Sequence, residues 1–189
     1  QLKSGSMEIL EVPFPILGDG QVLVRNHYSV ISAGTEGKTV SDARKGYIAK
    51  ARSRQKEVKM VIDMIKSEGF KKTYDVVMNK LEAPSPLGYS CVGEVIAVGK
   101  DVQEIRIGDF VACGGSGAYH ADVVAVNRNL CVRVSKEINI KHAAFTTIAA
   151  IAIQGIRQAD LRFGENCTVV GLGLIGLLTV QILKAAGIK

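Results

Sequence analysis

A glycine-rich loop between an apolar strand and an apolar helix constrains this chain more than any other feature of its 189 residues. Gly171-Leu172-Gly173-Leu174-Ile175-Gly176 follows the predicted strand Cys167–Val170 and precedes the predicted helix Leu177–Ala186. In a G-x-G-x-x-G loop the first glycine permits a tight turn, the second lets a pyrophosphate approach the backbone, and the third lets helix and strand pack closely. The helix N-terminus adds N–H donors and a partial positive charge. The residues predicted to bind a dinucleotide are Gly171, Gly173, Leu174, Ile175 and Gly176.

The alternative for this loop is a tight strand-to-helix turn that binds no ligand. In dinucleotide-binding folds, an acidic residue about 20 positions beyond the loop, on the second strand, holds the adenosine ribose. The sequence given stops at Lys189, before that position, so the choice between NAD and NADP stays open. We expect the chain to be the N-terminal part of a longer enzyme, inactive and weak in dinucleotide binding when isolated.

Six short segments rich in Val and Ile, separated by turns that contain glycine, precede the glycine loop. Short strands at this spacing are typical of a closed or partly open β-barrel. The predicted strands are Met7–Val12, Gln21–His27, Cys91–Val98, Asp109–Cys113, Ala121–Val126 and Cys131–Val134. From residue 140 to 158 the pattern becomes helical. The fold class predicted is α+β, mainly β: a partly open β-barrel with a helical insertion, followed by the first strand and helix of a Rossmann domain.

The helical insertion, residues 41–83, carries most of the positive charge of the chain. It holds 11 basic and 6 acidic side chains, against a net charge of +6 for the whole sequence. Apolar residues at helical spacing run up to Gly69, and Thr73 is a predicted N-cap of a second helix that ends before Pro84. Basic helices could bind nucleic acid, an anionic substrate or a partner, or form a lid; the simpler interpretation is a solvated face. Because no groove-reading motif accompanies the charges, we expect no nucleic acid partner.

Cysteines, histidines and hydropathy indicate an ordinary soluble protein. The four cysteines, at positions 91, 113, 131 and 167, lack metal-ligand spacing, and we interpret them as reduced, buried thiols of a cytoplasmic protein. The three histidines are scattered along the sequence and are assigned no role. The apolar stretch from 169 to 188 contains Gly and Lys and suits a buried helix better than a membrane span, so we expect no membrane partner.

The order of these features resembles the medium-chain dehydrogenase/reductase superfamily, the zinc-type alcohol dehydrogenase-like proteins with a GroES-like N-terminal domain. Residues 20–25 (GQVLVR) look like the G-E-V-L-V-K strand of that family, and residues 32–36 (SAGTE) lie where it has C-G-T-D. Residues 87–95 (LGYSCVGEV) lie where it has G-H-E-x-x-G-x-V, and residues 107–111 (IGDFV) are similar to its V-G-D-R-V turn. The resemblance covers nearly the whole chain apart from the insertion at 41–83.

The resemblance implies three regions: a GroES-like catalytic domain at 1–137, connecting helices at 138–160, and the truncated start of a Rossmann domain at 161–189. It implies an NAD- or NADP-dependent enzyme that transfers a hydride between nicotinamide and an alcohol or carbonyl. The implied partners are a small-molecule substrate, a sugar derivative in one subgroup, and further copies of the chain in a homo-oligomer. The alternative is a non-catalytic GroES-like module that docks a partner through the basic insertion.

The residues at the metal-binding positions of the family depart from its pattern. In zinc-dependent members the Cys of C-G-T-D and the His of G-H-E bind the catalytic metal, whereas this chain has Ala33 and Tyr89. The four-cysteine structural zinc lobe is missing too, since Cys113 is followed by a run of small residues without cysteine. Because a catalytic zinc needs about three protein ligands, the sequence predicts a zinc-less branch.

Without a zinc ion, hydroxyl groups are the predicted donors to the oxygen that becomes an alkoxide. The resemblance implies that Thr35 lies where the family has its proton-relay hydroxyl. Tyr89 lies where zinc-dependent members of the family have the histidine that binds the metal. Glu36 could position either donor. The alternatives are a cleft-wall aromatic for Tyr89 and a hydroxyl bonded to a turn for Thr35. The predicted catalytic residues are therefore Thr35, Glu36 and Tyr89.

Overall fold

A computed structural model describes residues 6–44, 55–135, 137–162 and 164–189. The chain divides into two compact units. The first contains residues 1–11 and 33–87, and the second contains residues 12–32 and 88–189. The predicted insertion therefore lies in the first unit, whereas the predicted strands after residue 20 and the glycine loop lie in the second.

The described part of the first unit contains three helices: α1 (Ala33–Arg44), α2 (Gln55–Glu68) and α3 (Phe70–Glu82). Gly69 separates α2 from α3 with a φ of 84°, a conformation that glycine adopts readily. Thr73 is not the N-cap of α3, because it lies inside that helix and its hydroxyl donates to the Gly69 carbonyl at 2.9 Å. The prediction of two helices broken at Gly69 is confirmed, and the predicted cap is wrong by one turn.

The charge of the insertion is unevenly distributed. Helices α2 and α3 hold six basic and five acidic side chains, so that this helical pair is nearly neutral. Lys72 pairs with Glu68 at 2.9 Å across the break between them. The positive excess lies mainly between residues 44 and 54, and the predictions for positions 45–54 fall outside the described residues. A basic outer face of α2 and α3 is therefore not supported.

An open, antiparallel, five-stranded sheet forms the core of the second unit, in the order β4-β1-β2-β3-β5. Its strands are β1 (Gln21–Ser29), β2 (Ser90–Val98), β3 (Phe110–Gly114), β4 (Val123–Asn127) and β5 (Cys131–Arg133). These strands confirm five of the predicted segments to within a few residues. Glycine is required at Gly93 of β2, because a Cβ there would collide with the Arg25 carbonyl of β1.

The predicted strand Met7–Val12 is not formed in the structure. Residues 6–18 run without regular secondary structure, and most of their large apolar side chains are exposed. Alternating apolar residues produce a strand only where a neighbouring strand supplies hydrogen bonds. Within the described residues, no strand pairs with this segment, so the periodicity alone gave a false prediction.

Three further helices follow the sheet in the second unit: α4 (Ile140–Ala143), α5 (Thr146–Gln158) and α6 (Leu174–Ala185). The helical region predicted from residue 140 to 158 is thus broken once, and the predicted helix after the glycine loop begins three residues earlier. None of the helices in the described ranges has the length and apolar content that crossing a membrane requires.

Buried side chains of the second unit form two clusters. The first core cluster lies on the sheet and contains Val22, Val24, Cys91, Val95, Val102, Ile105, Val111, Cys113, Ala118, Val124 and Val126. The second core cluster joins the sheet to the helices and contains Val30, Val92, Ala143, Ala144 and Ile148. Leu174 and Leu178 of α6 pack against this second cluster. The helix that follows the glycine loop is therefore anchored to the sheet through α4 and α5.

Candidate functional site: the glycine loop and the residues around Tyr89

The glycine loop has the geometry that its sequence predicts. Gly171 has a φ of 93°, so a side chain there would be strained. At Gly176 a Cβ would collide with the Gly171 carbonyl oxygen, and the helix can approach the loop only because this Cβ is missing. At Gly173 a Cβ would meet no other atom within 4 Å. The first and third glycines are therefore required by the fold, whereas the second leaves space next to the backbone.

The space beside Gly173 lies at the N-terminus of α6. Gly173 is the N-cap residue and provides no side-chain hydrogen bond, and the first turn of the helix contains no acidic residue. Its N–H groups have no acceptor within the helix, and the helix dipole adds partial positive charge. This combination fits a pyrophosphate. The residues that would hold it are Gly171, Gly173, Leu174, Ile175 and Gly176.

The segment before the loop begins a parallel pairing. The segment Cys167–Val170, predicted to be a strand, forms no regular strand in the structure. The Cys167 N–H donates to the Lys189 carbonyl at 2.7 Å, and the Lys189 N–H donates to the Glu165 carbonyl at 3.4 Å. Two bonds that share one residue in this way are the pattern of a parallel ladder. Loop, helix and returning backbone thus form the beginning of a β-α-β unit, of which the sequence predicted the first strand and the helix.

Tyr89 lies in the same part of the second unit as the glycine-loop helix. Its ring packs against the second core cluster, which is also the cluster that Leu174 of α6 contacts. Backbone hydrogen bonds hold this position, since the Gly115 N–H donates to the Tyr89 carbonyl at 2.9 Å and the Val30 N–H donates to the Ser90 carbonyl at 3.0 Å. The structure therefore brings one predicted catalytic residue and the predicted cofactor loop to one shared core.

Ser90 fixes the backbone next to Tyr89, a role that sequence reasoning missed. Its side chain is 1% exposed, and its hydroxyl donates to the Ala144 carbonyl at 2.6 Å. This bond joins the start of β2 to the end of α4. The two residues are 54 positions apart, so no local pattern of the sequence could have predicted it.

Replacing Ser90 by Ala is expected to lower the free energy of unfolding by about 1–3 kcal/mol, because the buried Ala144 carbonyl loses its donor. Urea denaturation monitored by circular dichroism measures the change. Ser67→Ala is the matched control, since the exposed Ser67 hydroxyl bonds only to carbonyls of its own helix, and it is expected to stay within about 0.5 kcal/mol of wild type. Equal stability of the two variants would contradict the role of Ser90.

The side chains of His120 and Ser29 form a polar contact close to Tyr89 in the fold. His120 Nδ1 lies 2.8 Å from the Ser29 hydroxyl. The backbone of His120 also packs against Gly88, where a Cβ would lie 2.6 Å from the His120 nitrogen. Gly88, with a φ of 99°, directly precedes Tyr89. The sequence had given no reason to associate these residues, because they come together only through the fold.

Thr35 and Glu36 lie in the other unit, in the first turn of α1. Thr35 lies in the helix rather than in a turn, and its carbonyl accepts a hydrogen bond from the Thr39 hydroxyl at 3.1 Å. Glu36 is buried, with 7% exposure. Because these two residues and Tyr89 belong to different units, the predicted pair of donors remains a prediction.

Ala33 and Tyr89 occupy the two positions at which zinc-dependent members of the family have a Cys and a His that bind zinc. Neither residue is a usual zinc ligand. In the part of the chain that the structure describes, no three His, Cys, Asp or Glu side chains are arranged to hold a metal ion. These residues therefore do not fit a catalytic zinc, and no step of the proposed chemistry uses one.

The comparisons with known proteins agree with this geometry. Residues 55–136 match the alcohol dehydrogenase GroES-like domain. The (R,R)-butanediol dehydrogenase of Bacillus subtilis is 30% identical over 129 residues, which are 56% of this chain and 37% of that enzyme. The D-guloside 3-dehydrogenase of Shigella flexneri is 35% identical over 101 residues, 53% of this chain and 29% of that enzyme. Thus the chain spans well under half the length of these curated relatives.

Among solved structures, the quinone oxidoreductase of Coxiella burnetii superimposes with a TM-score of 0.65 and 22% identity, over 96% of this chain and 50% of that one. The fold is thus of the class in which a GroES-like sheet precedes the start of a Rossmann domain. Over the residues that these matches cover, the chain is similar to members of the medium-chain dehydrogenase/reductase superfamily.

Proposed function

We propose that the whole protein is an NAD- or NADP-dependent oxidoreductase that transfers a hydride between the nicotinamide and an alcohol or carbonyl group, without a catalytic zinc. The observation that carries the proposal is the glycine loop, where the space beside Gly173 opens onto the N-terminus of α6. The names of the two curated relatives refer to a diol and a glycoside. They support a small substrate that carries hydroxyl groups, such as a sugar derivative.

The bound dinucleotide supplies the hydride or accepts it. The protein must then stabilise the substrate oxygen while it changes between carbonyl and alkoxide, and must exchange a proton with it. In the proposed mechanism the Tyr89 phenol and the Thr35 hydroxyl donate hydrogen bonds to that oxygen, and Glu36 orients a donor. Packing of Tyr89 against the cluster that also anchors Leu174 supports this assignment. The absence of cysteine and histidine at positions 33 and 89 supports hydroxyl donors rather than a metal.

The proposed enzyme is a cytoplasmic homo-oligomer that binds a small molecule, and neither nucleic acid nor a membrane. The resemblance and the four free cysteines support this setting. Light scattering coupled to size-exclusion chromatography of the full-length protein tests the assembly, and a monomer would contradict it.

A spectrophotometric assay of the full-length protein tests the proposed reaction. NAD and NADP are each combined with a panel of diols, polyols and glycosides, and formation of the reduced nicotinamide is followed by its absorbance. We expect turnover that survives exhaustive dialysis against a metal chelator. Activity that disappears with the chelator and returns with zinc would contradict the zinc-free part of the proposal. Absence of turnover with both cofactors would contradict the oxidoreductase assignment for these substrates.

Replacing Tyr89 by Phe in the full-length protein is expected to lower kcat by about 10²–10⁴-fold, the usual contribution of a positioned proton donor. KM should change much less, because the ring that packs against the core is retained. Tyr74→Phe is the matched control, since Tyr74 is exposed and stacks on Phe70 in the first unit, and it should leave kcat unchanged. An unchanged kcat for Tyr89→Phe would eliminate Tyr89 as a donor and leave it as a packing residue.

A further inference from the structure

Three thiols lie in one row across the sheet of the second unit, although the sequence shows no cysteine motif. In the strand register Cys91 of β2 lies opposite Cys113 of β3, and Cys113 lies opposite Cys131 of β5. The Sγ atoms of Cys113 and Cys131 are 3.7 Å apart. All three thiols are free. Cys113 is therefore the central thiol and has one cysteine neighbour on each side.

The phase of the hydrogen bonds distinguishes the two pairs. The Val134 N–H donates to the Phe110 carbonyl at 2.8 Å, so Phe110 and Val134 are a hydrogen-bonded pair. The two kinds of pair alternate along an antiparallel ladder. Cys113 and Cys131 lie three positions further along the strands and are therefore a non-hydrogen-bonded pair. The Gly115 N–H donates to the Tyr89 carbonyl, which makes Cys91 and Cys113 a hydrogen-bonded pair. Opposed Cα atoms lie about 4.5 Å apart in the first kind of pair and about 5.5 Å apart in the second. Side chains approach more closely in the pair of Cys113 with Cys131.

Access and acidity also favour Cys131. Cys91 and Cys113 are each 1% exposed, whereas Cys131 is only partly buried and lies on a three-residue strand at the edge of the sheet. The hydrogen bond from Cys113 lowers the pKa of the Cys131 thiol. The hydrogen bonds with Cys131 and Cys91, and then burial, raise the pKa of Cys113. Because the thiolate is the reactive form, exposure and acidity both favour Cys131 over Cys113 as the attacking thiol.

We propose that Cys113 and Cys131 form a reversible redox modification site, which a small disulfide such as oxidised glutathione converts into a cross-strand disulfide. The Cys131 thiolate attacks one sulfur of the oxidant, whose S–S bond breaks and releases one glutathione thiolate. Cys113 then loses its proton and attacks the Cys131 sulfur, and the second glutathione leaves as a thiolate that takes up a proton. Two protein thiols are oxidised by two electrons, and one oxidised glutathione becomes two reduced ones.

The structure needs little change to reach the product. A disulfide has an S–S length of about 2.05 Å and Cα atoms about 4.4–6.8 Å apart, a range that includes the expected spacing of a non-hydrogen-bonded pair. Among the described residues β5 pairs with β3 alone, so it can move towards β3 without breaking a ladder on its other side. The bond would close a loop between residues 113 and 131, which restricts the unfolded chain and favours the folded form.

Peptide mapping of the full-length protein tests the proposal. The native protein is incubated with oxidised glutathione, alkylated under denaturing conditions and analysed by mass spectrometry without reduction. We expect a peptide pair linked through Cys113 and Cys131, which dithiothreitol separates, and a higher thermal midpoint for the oxidised protein. Cys167→Ser, which removes the partly buried cysteine outside the row, should form the same link.

Two variants separate the steps. Cys131→Ser should prevent the link and any glutathione adduct at the row, and Cys113→Ser should accumulate a glutathione adduct on Cys131. Circular dichroism verifies that each variant is folded. If Cys113→Ser does not fold, the result for Cys131→Ser alone tests the proposal. A link between Cys91 and Cys113, a stable adduct on Cys131 in the wild type, or no modification of the row would each overturn the proposal.

Discussion

Replacing Gly173 by Asp is expected to weaken dinucleotide binding by the full-length protein by more than about 100-fold while leaving the fold intact. The new side chain enters the space beside the loop, where a Cβ meets no atom of the chain within 4 Å. A carboxylate about 4 Å from a phosphate charge at an effective dielectric constant of about 20 is repelled by about 4 kcal/mol, and each 1.4 kcal/mol is about tenfold in affinity. Calorimetric titration with NAD and NADP measures the loss.

The same substitution should not harm the helix. Asp is at least as good an N-cap as Gly, and a negative charge at a helix N-terminus is favourable by about 0.3–1 kcal/mol. Gly173→Asn is the matched control, because it has nearly the same shape without the charge and should bind more tightly than the Asp variant. If Gly173→Asp bound dinucleotide like the wild type, the cofactor could not lie against this backbone.

Replacing Ile148 by Ala is expected to lower the free energy of unfolding by about 2–5 kcal/mol. Ile148 of α5 is 0% exposed and belongs to the second core cluster, which joins the sheet to the helices that support the glycine loop. The cost combines the lost burial of three carbon atoms with the cavity that they leave. Chemical denaturation of the wild type and the variant gives the difference from their unfolding midpoints.

Ile151→Ala on the same helix is the control for that measurement. Ile151 is 45% exposed, so its truncation should cost much less than that of Ile148. The comparison uses one residue type and one helix, which leaves burial as the main difference. If both variants lost the same stability, the second core cluster would not be the element that joins the sheet to α5.

Local sequence patterns predicted most of the fold because each depended on only a few neighbouring residues. The glycine loop is the best case, since the roles of Gly171 and Gly176 follow from backbone geometry and the structure has both. The short strands were found because alternating apolar residues reflect a sheet with one buried face. Thr73 was mistaken for a cap because a threonine that bonds back to a carbonyl of its own helix resembles one in sequence.

The parts that failed or were missed depend on partners far away in the chain. The segment Met7–Val12 has the alternation of a strand but no pairing strand in the described residues. The bond from Ser90 to Ala144 and the row of thiols depend on how the strands and helices are arranged. A spacing rule for cysteines finds metal sites on local loops, and it cannot detect thiols that the strand register brings together.

The most direct test of the central claim, that the glycine loop holds a nicotinamide dinucleotide, is calorimetric titration of the full-length wild-type protein with NADH and NADPH. We predict one site per chain for at least one of them, with a dissociation constant below about 1 mM, and loss of the binding heat in Gly173→Asp. No binding heat with either dinucleotide, from a protein that circular dichroism shows to be folded, would contradict the claim.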